Sequence, residues 1–233
     1  MSAVTEPGGG PQPDPSYDYP AYRSTQRRAP KRPLIALPEG LEERRCPVFG
    51  PSQVRAEDAD LTSAHAGEPL GERIVVTGRL TCAAGRPLAG KLVEIWQANA
   101  AGRYNHHADR HDAPLDPNFT GAGRCLTDAE GRYRFVTVKP GAYPWQNHDN
   151  AWRPAHIHFS FFGTQFSERL VTQMYFPGDP LLEFDPIFHS VRDRRAAESL
   201  VCRFDLGTTV EGWALGYRWD VVLGGLSPTP MEA

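Results

Sequence analysis

One short segment, WRPAHIHF at residues 152–159, contains the residue types best suited to metal chemistry. If it is a strand, alternation places His156 and His158 on the same face, because side chains two residues apart point the same way. Two imidazoles on one face can reach a single metal ion. Arg153, three residues before the first histidine, could stabilise an anion or a negatively charged transition state. An HxH pair alone is equally compatible with two hydrogen-bonded structural histidines, so this segment leaves metal binding open.

Two tyrosines in the preceding loops favour a metal and indicate its charge. Tyr143 lies in GAYPW, just before the histidine segment, and Tyr104 lies in GRYNHH, in the long loop after an earlier strand. A buried tyrosine beside a hard trivalent cation can lose its proton and bind the metal as a phenolate. The tyrosine that binds the haem iron of catalase is an example. Two phenolates, two neutral imidazoles and one hydroxide would balance the charge of Fe(III), whereas Zn(II) or Fe(II) would match it poorly. Taken alone, each tyrosine is more often a packing residue.

Two other classes of function stay open at this point. A zinc or copper hydrolase could use His156 and His158 with a third ligand such as His111 or Asp149, although the spacing gives this no support. A β-sandwich binding or assembly module could contain the histidine pair for structural reasons alone. Such a module would be colourless and would bind no iron tightly.

The histidine segment is one of several stretches with the two-residue periodicity of strands. The pattern predicts strands at 73–80, 92–98, 132–138, 155–162, 168–176, 200–206 and 215–223, and one short helix at 193–200. Because these strands do not alternate with long helices, we predict an all-β fold, a β-sandwich with long functional loops. The long connections are 99–124 and 139–154. Within the histidine strand, Ala155, Ile157, Phe159 and Phe161 would face the core.

The N-terminal part differs in composition and predicts an extended arm. Residues 7–15, PGGGPQPDP, are seven Gly or Pro in nine, and a basic segment follows. We therefore divide the chain into an arm and lead-in segment, 1–66, and a β-sandwich domain, 67–233.

Overall composition excludes several function classes. The net charge of −3 argues against a general nucleic-acid binder. No apolar run approaches the roughly 18–20 residues that span a bilayer, and no secretory signal is visible, so we expect no membrane association. The four cysteines form no CxxC pair, which predicts free thiols in a reducing cytoplasm.

Several motifs together resemble a known family, the intradiol ring-cleaving dioxygenases, and within it the iron-binding β subunits. The matching segments are LVEIWQANAAGRY, APLDPNF, GRCLTD, KPGAYPW, WRPAHIHFS, TQMYFPGDP and YRWDVVL. The likeness as a whole covers roughly residues 21–225, and the combination of WRPAHIHF with GRY and YPW is highly specific. The first 20 residues do not match, and nothing is assigned to them.

The resemblance implies a cofactor and a set of site residues. The cofactor would be non-haem Fe(III), and its four ligands would be Tyr104, Tyr143, His156 and His158. Tyr143 would be the phenolate that leaves the metal and takes a proton from the substrate, and Arg153 would stabilise negative charge on the substrate. Trp145, Gln173 and Ile187 would contact the substrate.

The resemblance also implies an activity in aromatic catabolism and a partner chain. The expected reaction is the O2-dependent cleavage of protocatechuate to 3-carboxy-cis,cis-muconate. The expected partner is a homologous α subunit that lacks the iron ligands, in a hetero-oligomer. Another catechol, such as catechol or hydroxyquinol, is the alternative substrate. Relatives with those substrates have a helical N-terminal region, whereas the Pro- and Gly-rich N-terminus here favours protocatechuate.

Overall fold

The chain forms two packed β-sheets with short helices at their edges. The computed structural model describes residues 18–32, 53–145, 152–164, 168–224 and 228–232. The strands in these ranges are β1 (Arg73–Cys82), β2 (Leu92–Trp96), β3 (Ala122–Leu126), β4 (Arg132–Val138), β5 (Tyr143–Pro144), β6 (Trp152–Arg153), β7 (His156–Phe162), β8 (Arg169–Tyr175), β9 (Arg203–Phe204), β10 (Leu215–Arg218) and β11 (Val221–Leu223). The α-helices are α1 (Thr25–Arg28), α2 (Pro186–Ser190) and α3 (Arg194–Ser199), and 3₁₀ helices span Ala56–Ala59 and Pro180–Phe184.

The first sheet is built around the ten-residue strand β1. Strand β4 pairs with it in antiparallel orientation, from Arg73 opposite Val138 to Arg79 opposite Arg132. On the other side of β1, β10 and then β11 pair in parallel orientation with successive parts of the strand. Strand β9 completes this sheet by antiparallel pairing with β10.

The second sheet, in the order β3-β2-β7-β8, contains the histidine segment in an interior strand. All three pairings are antiparallel. Trp96 of β2 lies opposite His158, and Gln173 and Tyr175 of β8 lie opposite His158 and His156. The separate hairpin β5-β6 pairs Tyr143 with Arg153. Sheet register therefore brings together residues that are far apart in the sequence.

The core lies between the two sheets, and the predicted apolar face of β7 forms its centre. Ala155, Ile157, Phe159 and Phe161 are all buried, which confirms that prediction. The Phe159 ring packs 5.7 Å from the ring of Phe135 in the first sheet. Full burial of one such side chain contributes about 1.5–3 kcal/mol to the free energy of unfolding. This packing supports the rigid strand on which the two histidines lie.

The strand predictions are right for most elements and wrong in two places. The predicted strand at 215–223 is two strands, because the chain bends at residues 219–220 and moves from one part of β1 to the next. The predicted strand at 200–206 contains only β9, because a turn begins at Asp205, whose carbonyl accepts hydrogen bonds from following residues. The pattern predicts no elements within the two long connections. In the structure, β3 begins at the end of the connection 99–124, and β5 and β6 lie within the connection 139–154. The predicted helix at 193–200 is α3.

The described segment that leads into β1 packs against the sandwich. The 3₁₀ helix Ala56–Ala59 is held against β3 by an ion pair between Asp58 and Arg124, 2.8 Å apart. Leu61, which follows it, enters the core and donates its backbone N–H to Val136 in β4. Residues 7–15, the predicted arm, lie outside the described ranges, and the boundary at residue 66 stays a prediction.

Two sequence predictions concern cysteines and membranes. Cys82, Cys125 and Cys202 are free thiols, as predicted, and Cys46 lies outside the described residues. None of the helices in the described part of the chain has the length and apolar character needed to cross a membrane.

Candidate metal centre and active site

The two histidines of β7 are buried on the face of the strand opposite the core. His156 is 2% exposed and His158 is 8% exposed. Their ring centroids are 4.8 Å apart and the rings are nearly perpendicular. Trp96 stacks on His158 with an interplanar angle of 3° and a centroid distance of 5.1 Å. The β2–β7 register thus supplies an aromatic surface that restricts the orientation of the His158 ring.

Each histidine faces the hydroxyl of one tyrosine. The Tyr104 hydroxyl lies 3.1 Å from His158 Nε2, and the Tyr143 hydroxyl lies 3.4 Å from His156 Nε2. The two tyrosine rings pack edge to face with centroids 5.3 Å apart. The structure therefore brings the four sequence-predicted ligands into one cluster of two phenol–imidazole pairs.

A tight turn brings the loop that contains Tyr104 against the segment that contains Tyr143. The side-chain oxygen of Asn99 accepts two backbone N–H groups in the turn that follows β2. Gly102, in this turn, has a φ of +77°, and a Cβ at this position would lie 2.1 Å from the carbonyl oxygen of Ala142. Only glycine permits both the left-handed backbone and this approach.

Gly102→Ala should therefore disturb both stability and the centre. We expect the free energy of unfolding to fall by about 1–3 kcal/mol from overpacking alone, with a further loss of about 1–2 kcal/mol for the left-handed backbone. We also expect less bound metal, because the two tyrosines would move apart. Denaturant unfolding and metal analysis measure these effects.

Gly85→Ala is the matched control for that substitution. Gly85 has a φ of +72°, but no atom lies within 4 Å of a Cβ placed there. It should show the backbone penalty alone and leave the metal content unchanged. If both variants lose the same free energy of unfolding, the close approach to Ala142 makes no contribution to the effect of Gly102→Ala.

The buried guanidinium of Arg153 connects the centre to β8 and α2. It forms two hydrogen bonds with the carboxylate of Asp185, of 3.1 and 2.7 Å, and a third with Gln173 Oε1 at 2.7 Å. The Tyr175 hydroxyl donates to Asp185 at 2.8 Å and lies 3.1 Å from the guanidinium. On its other side, Arg153 Nη1 lies 3.2 Å from His156 Nε2. A fixed positive charge therefore faces the predicted ligand cluster.

Burial sets the protonation of the cluster. It raises the pKa of Tyr104 well above the usual value, and negative charge on Tyr143 would raise it further. Burial also raises the pKa of Tyr143, although Arg153 opposes this effect. Burial and the charge of Arg153 hold the pKa of His156 well below its usual range. By themselves the two phenols and His156 are neutral, and a cation among them would favour loss of the phenolic protons.

The three predicted substrate-contacting residues lie next to Arg153 or next to Asp185, which binds it. The ring centroid of Trp145 lies 5.3 Å from the guanidinium carbon of Arg153. The Trp145 ring also packs against Tyr22, from the segment before α1, at a centroid distance of 4.8 Å. Gln173 is bonded to Arg153, and Ile187 is buried in the first turn of α2. The described N-terminal segment thus reaches the edge of the site.

The sequence reasoning missed three residues at this site. Tyr175 and Asp185 hold Arg153, and Glu232 accepts a hydrogen bond from His158. A partial signal existed for Asp185, because Asp before Pro is a typical helix start. No periodicity or spacing connects Glu232 with a strand more than 70 positions earlier.

Comparison with protein families assigns the chain. A family model described as a dioxygenase matches residues 45–225, and a second, for the N-terminal region of protocatechuate 3,4-dioxygenase β subunits, matches residues 9–39. The expectation that the first 20 residues have no match is therefore wrong for residues 9–20. The chain belongs to the intradiol dioxygenase family. This dioxygenase is 61% identical to the protocatechuate 3,4-dioxygenase β chain of Burkholderia cepacia, over 94% of this chain and 93% of that one.

More distant relatives share the fold and act on other compounds. The 6-chlorohydroxyquinol 1,2-dioxygenase of Cupriavidus pinatubonensis is 34% identical over 65% of this chain and 56% of its own length. The structure of catechol 1,2-dioxygenase from Pseudomonas arvilla superimposes with a TM-score of 0.52 at 26% identity, over 71% of this chain and 55% of that chain. The all-β fold predicted for this dioxygenase is confirmed.

Intradiol dioxygenases use non-haem iron, and the donor set here fits a ferric ion. Two phenols can each become anionic, and two imidazoles present Nε2 to the same space. No group of three or more His, Cys, Asp or Glu side chains in the described ranges is arranged to bind a metal. Of the third ligands considered for zinc or copper, His111 packs its ring against Trp152, and Asp149 lies outside the described residues.

Proposed function

We propose that this chain is the iron-binding β subunit of a protocatechuate 3,4-dioxygenase. It would combine protocatechuate with O2 to give 3-carboxy-cis,cis-muconate, with both oxygen atoms retained in the product. Tyr104, Tyr143, His156 and His158 would hold Fe(III). The observation that carries the proposal is the convergence of these four side chains in a chain 61% identical to a β chain of that name.

A ferric ion held by Tyr104, Tyr143, His156 and His158 would supply Lewis acidity, which favours loss of the catechol hydroxyl protons and makes the ring more reactive toward O2. The chain must then accept the hydroxyl protons of the substrate. We assign Tyr143 as the general base that accepts one of them at its phenol oxygen, as the resemblance to the family implies. Its hydroxyl makes the longer of the two phenol–imidazole contacts, 3.4 Å to His156 Nε2, compared with 3.1 Å between the Tyr104 hydroxyl and His158 Nε2.

Arg153 would stabilise negative charge as it develops on the substrate. Its guanidinium is already oriented by Asp185, Gln173 and Tyr175, so no reorganisation is needed when charge appears. Trp145 would form a wall of the pocket through its contact with the guanidinium. The Nε2 amide of Gln173 is buried and makes no hydrogen bond of good geometry among the described residues, although it helps to lower the pKa of the Glu232 carboxyl; a ligand could therefore accept a hydrogen bond from it in place of Glu232.

The name of the similar β chain supports a partnership with an α subunit in a hetero-oligomer. We place the complex in the cytoplasm, where free thiols such as Cys82, Cys125 and Cys202 remain reduced.

The visible spectrum and metal content of the purified complex test this function. We expect one iron per chain and a red-brown colour from charge transfer between phenolate and ferric ion. Protocatechuate added under nitrogen should shift the band, and admission of O2 should then yield the ring-opened product. Catechol and hydroxyquinol serve as comparison substrates.

Two results would contradict the proposal in different ways. A colourless protein without stoichiometric iron would leave only the β-sandwich assignment, as for a binding module. A coloured protein that cleaves catechol or hydroxyquinol in preference to protocatechuate would retain the reaction class and overturn the substrate.

A further inference from the structure

His158 has a hydrogen-bond partner at each ring nitrogen, and the two partners are chemically different. Nε2 faces the Tyr104 hydroxyl, and Nδ1 lies 3.1 Å from Glu232 Oε2. An ionised carboxylate can only accept, so Nδ1 must carry the proton. The lone pair of Nε2 is then directed toward the ligand cluster, as a metal ligand requires.

The chain delivers Glu232 to this position through backbone pairing. Thr229 donates its N–H to the carbonyl of Val222 in β11, and its hydroxyl accepts the N–H of Val222. Three residues further along the chain, the N–H of Glu232 donates to the carbonyl of Val171 in β8 at 2.7 Å. The segment 228–232 is thus attached to both sheets. The side chain of Glu232 is 19% exposed, and that of His158 is 10% exposed.

The other histidine provides an internal comparison. His156 Nδ1 lies 2.8 Å from the carbonyl oxygen of Pro154, so its Nε2 lone pair also faces the cluster. A backbone carbonyl is neutral and cannot be removed by substitution. For His158 the same task is performed by a charged side chain, which makes the imidazole more electron-donating as well as fixing its tautomer.

Glu232 is not arranged as a metal ligand itself. Its carboxylate binds Nδ1, on the side of the imidazole ring away from the nitrogen that faces Tyr104. Among the described residues its carboxylate forms no hydrogen bond with Tyr104 or Tyr143, and its direct contact with the cluster is the one with His158.

We propose that Glu232 is a positioning residue for His158, which orients the imidazole for Fe(III) and increases its donor strength. This inference depends on the proposed ferric centre. Outer hydrogen-bond partners of metal-bound histidines typically change metal affinity by about 10–100-fold. Glu232 would therefore determine how firmly iron is held and the energy of the phenolate charge-transfer band.

Two substitutions in the purified complex separate orientation from charge. Glu232→Ala removes both, and we expect iron to be lost to a ferric chelator about 10–100-fold faster than from the unsubstituted protein. Glu232→Gln keeps an oxygen acceptor of the same size, so it should retain iron better than the alanine variant. Because the uncharged amide leaves the imidazole a weaker donor, its visible band should move to longer wavelength.

Met231→Ala is the control for disturbance of the segment, because Met231 is adjacent and 43% exposed. It should release iron at the unsubstituted rate and keep the original band. Unchanged iron release from Glu232→Ala would overturn the proposal. An unchanged visible band in Glu232→Gln would also overturn it, since a residue needed only for packing would not affect the spectrum. This isosteric variant gives an answer even if the alanine variant fails to fold. If the unsubstituted protein contains no iron, the proposed function fails first.

Discussion

Asp185→Ala should lower the free energy of unfolding by about 3–5 kcal/mol, because it leaves the buried charge of Arg153 without its counter-ion. Arg153 is 2% exposed and Asp185 is fully buried, and two hydrogen bonds join them. Turnover should fall as well, since the guanidinium loses the group that orients it. Denaturant unfolding of the metal-free protein measures the stability change.

Asp193→Ala is the matched control for this prediction. Both aspartates are N-cap residues: Asp185 accepts the N–H of Ile187 at the start of α2, and Asp193 accepts the N–H of Ala196 at the start of α3. No ion pair joins Asp193 to a buried cation in the described part of the chain, so its loss should cost about 0.5–2 kcal/mol. The double variant Arg153→Met/Asp185→Ala, which removes both charges, should recover part of the stability. If the two single aspartate variants lose the same amount, the ion pair has no net importance and the helix cap explains the effect.

Tyr143→Phe should lower kcat by about 10²–10⁴-fold, the usual contribution of a general base, while iron stays bound. Three predicted ligands, Tyr104, His156 and His158, remain in this variant. The contact between the hydroxyl of Tyr143 and His156 is long, at 3.4 Å, so the loss of stability should be small. Steady-state kinetics with protocatechuate and iron analysis of the same sample check both expectations.

Tyr217→Phe removes the hydroxyl of a different buried tyrosine and should leave turnover unchanged. Tyr217 lies on β10 in the first sheet and packs against Phe176 and Phe204. Undiminished turnover in Tyr143→Phe would refute its role as the base. Turnover lost in proportion to iron would instead assign Tyr143 to metal retention alone.

The predicted ligand set could be reached from the sequence because its key pair is local. His156 and His158 are two residues apart on a strand whose apolar face is unmistakable, so one rule of alternation places both on the same side. The tyrosines could be proposed only by their residue type and by the resemblance, since loop sequences do not specify where a side chain ends. The structure brings Tyr104 to His158 through a turn that depends on Gly102 and Asn99.

The residues that support the cluster could not be predicted, because each depends on a long-range pairing. Tyr175 reaches Arg153 through the β7–β8 register, and Glu232 reaches His158 through a hydrogen bond to Val171 in β8. Contacts of this kind leave no periodic trace in the chain. They form because hydrogen bonds between buried polar groups offset the free-energy cost of removing those groups from water.

The sequence by itself determined the class of fold and the shared face of His156 and His158, because strand alternation is a local property. Tyr104 and Tyr143 were candidate ligands only by residue type and by the resemblance. Only the tertiary structure decided which phenol faces which imidazole, which carboxylate balances Arg153 and which holds the far nitrogen of His158. Those choices follow from sheet register and loop closure, in which residues distant along the chain become neighbours only when the two sheets pack.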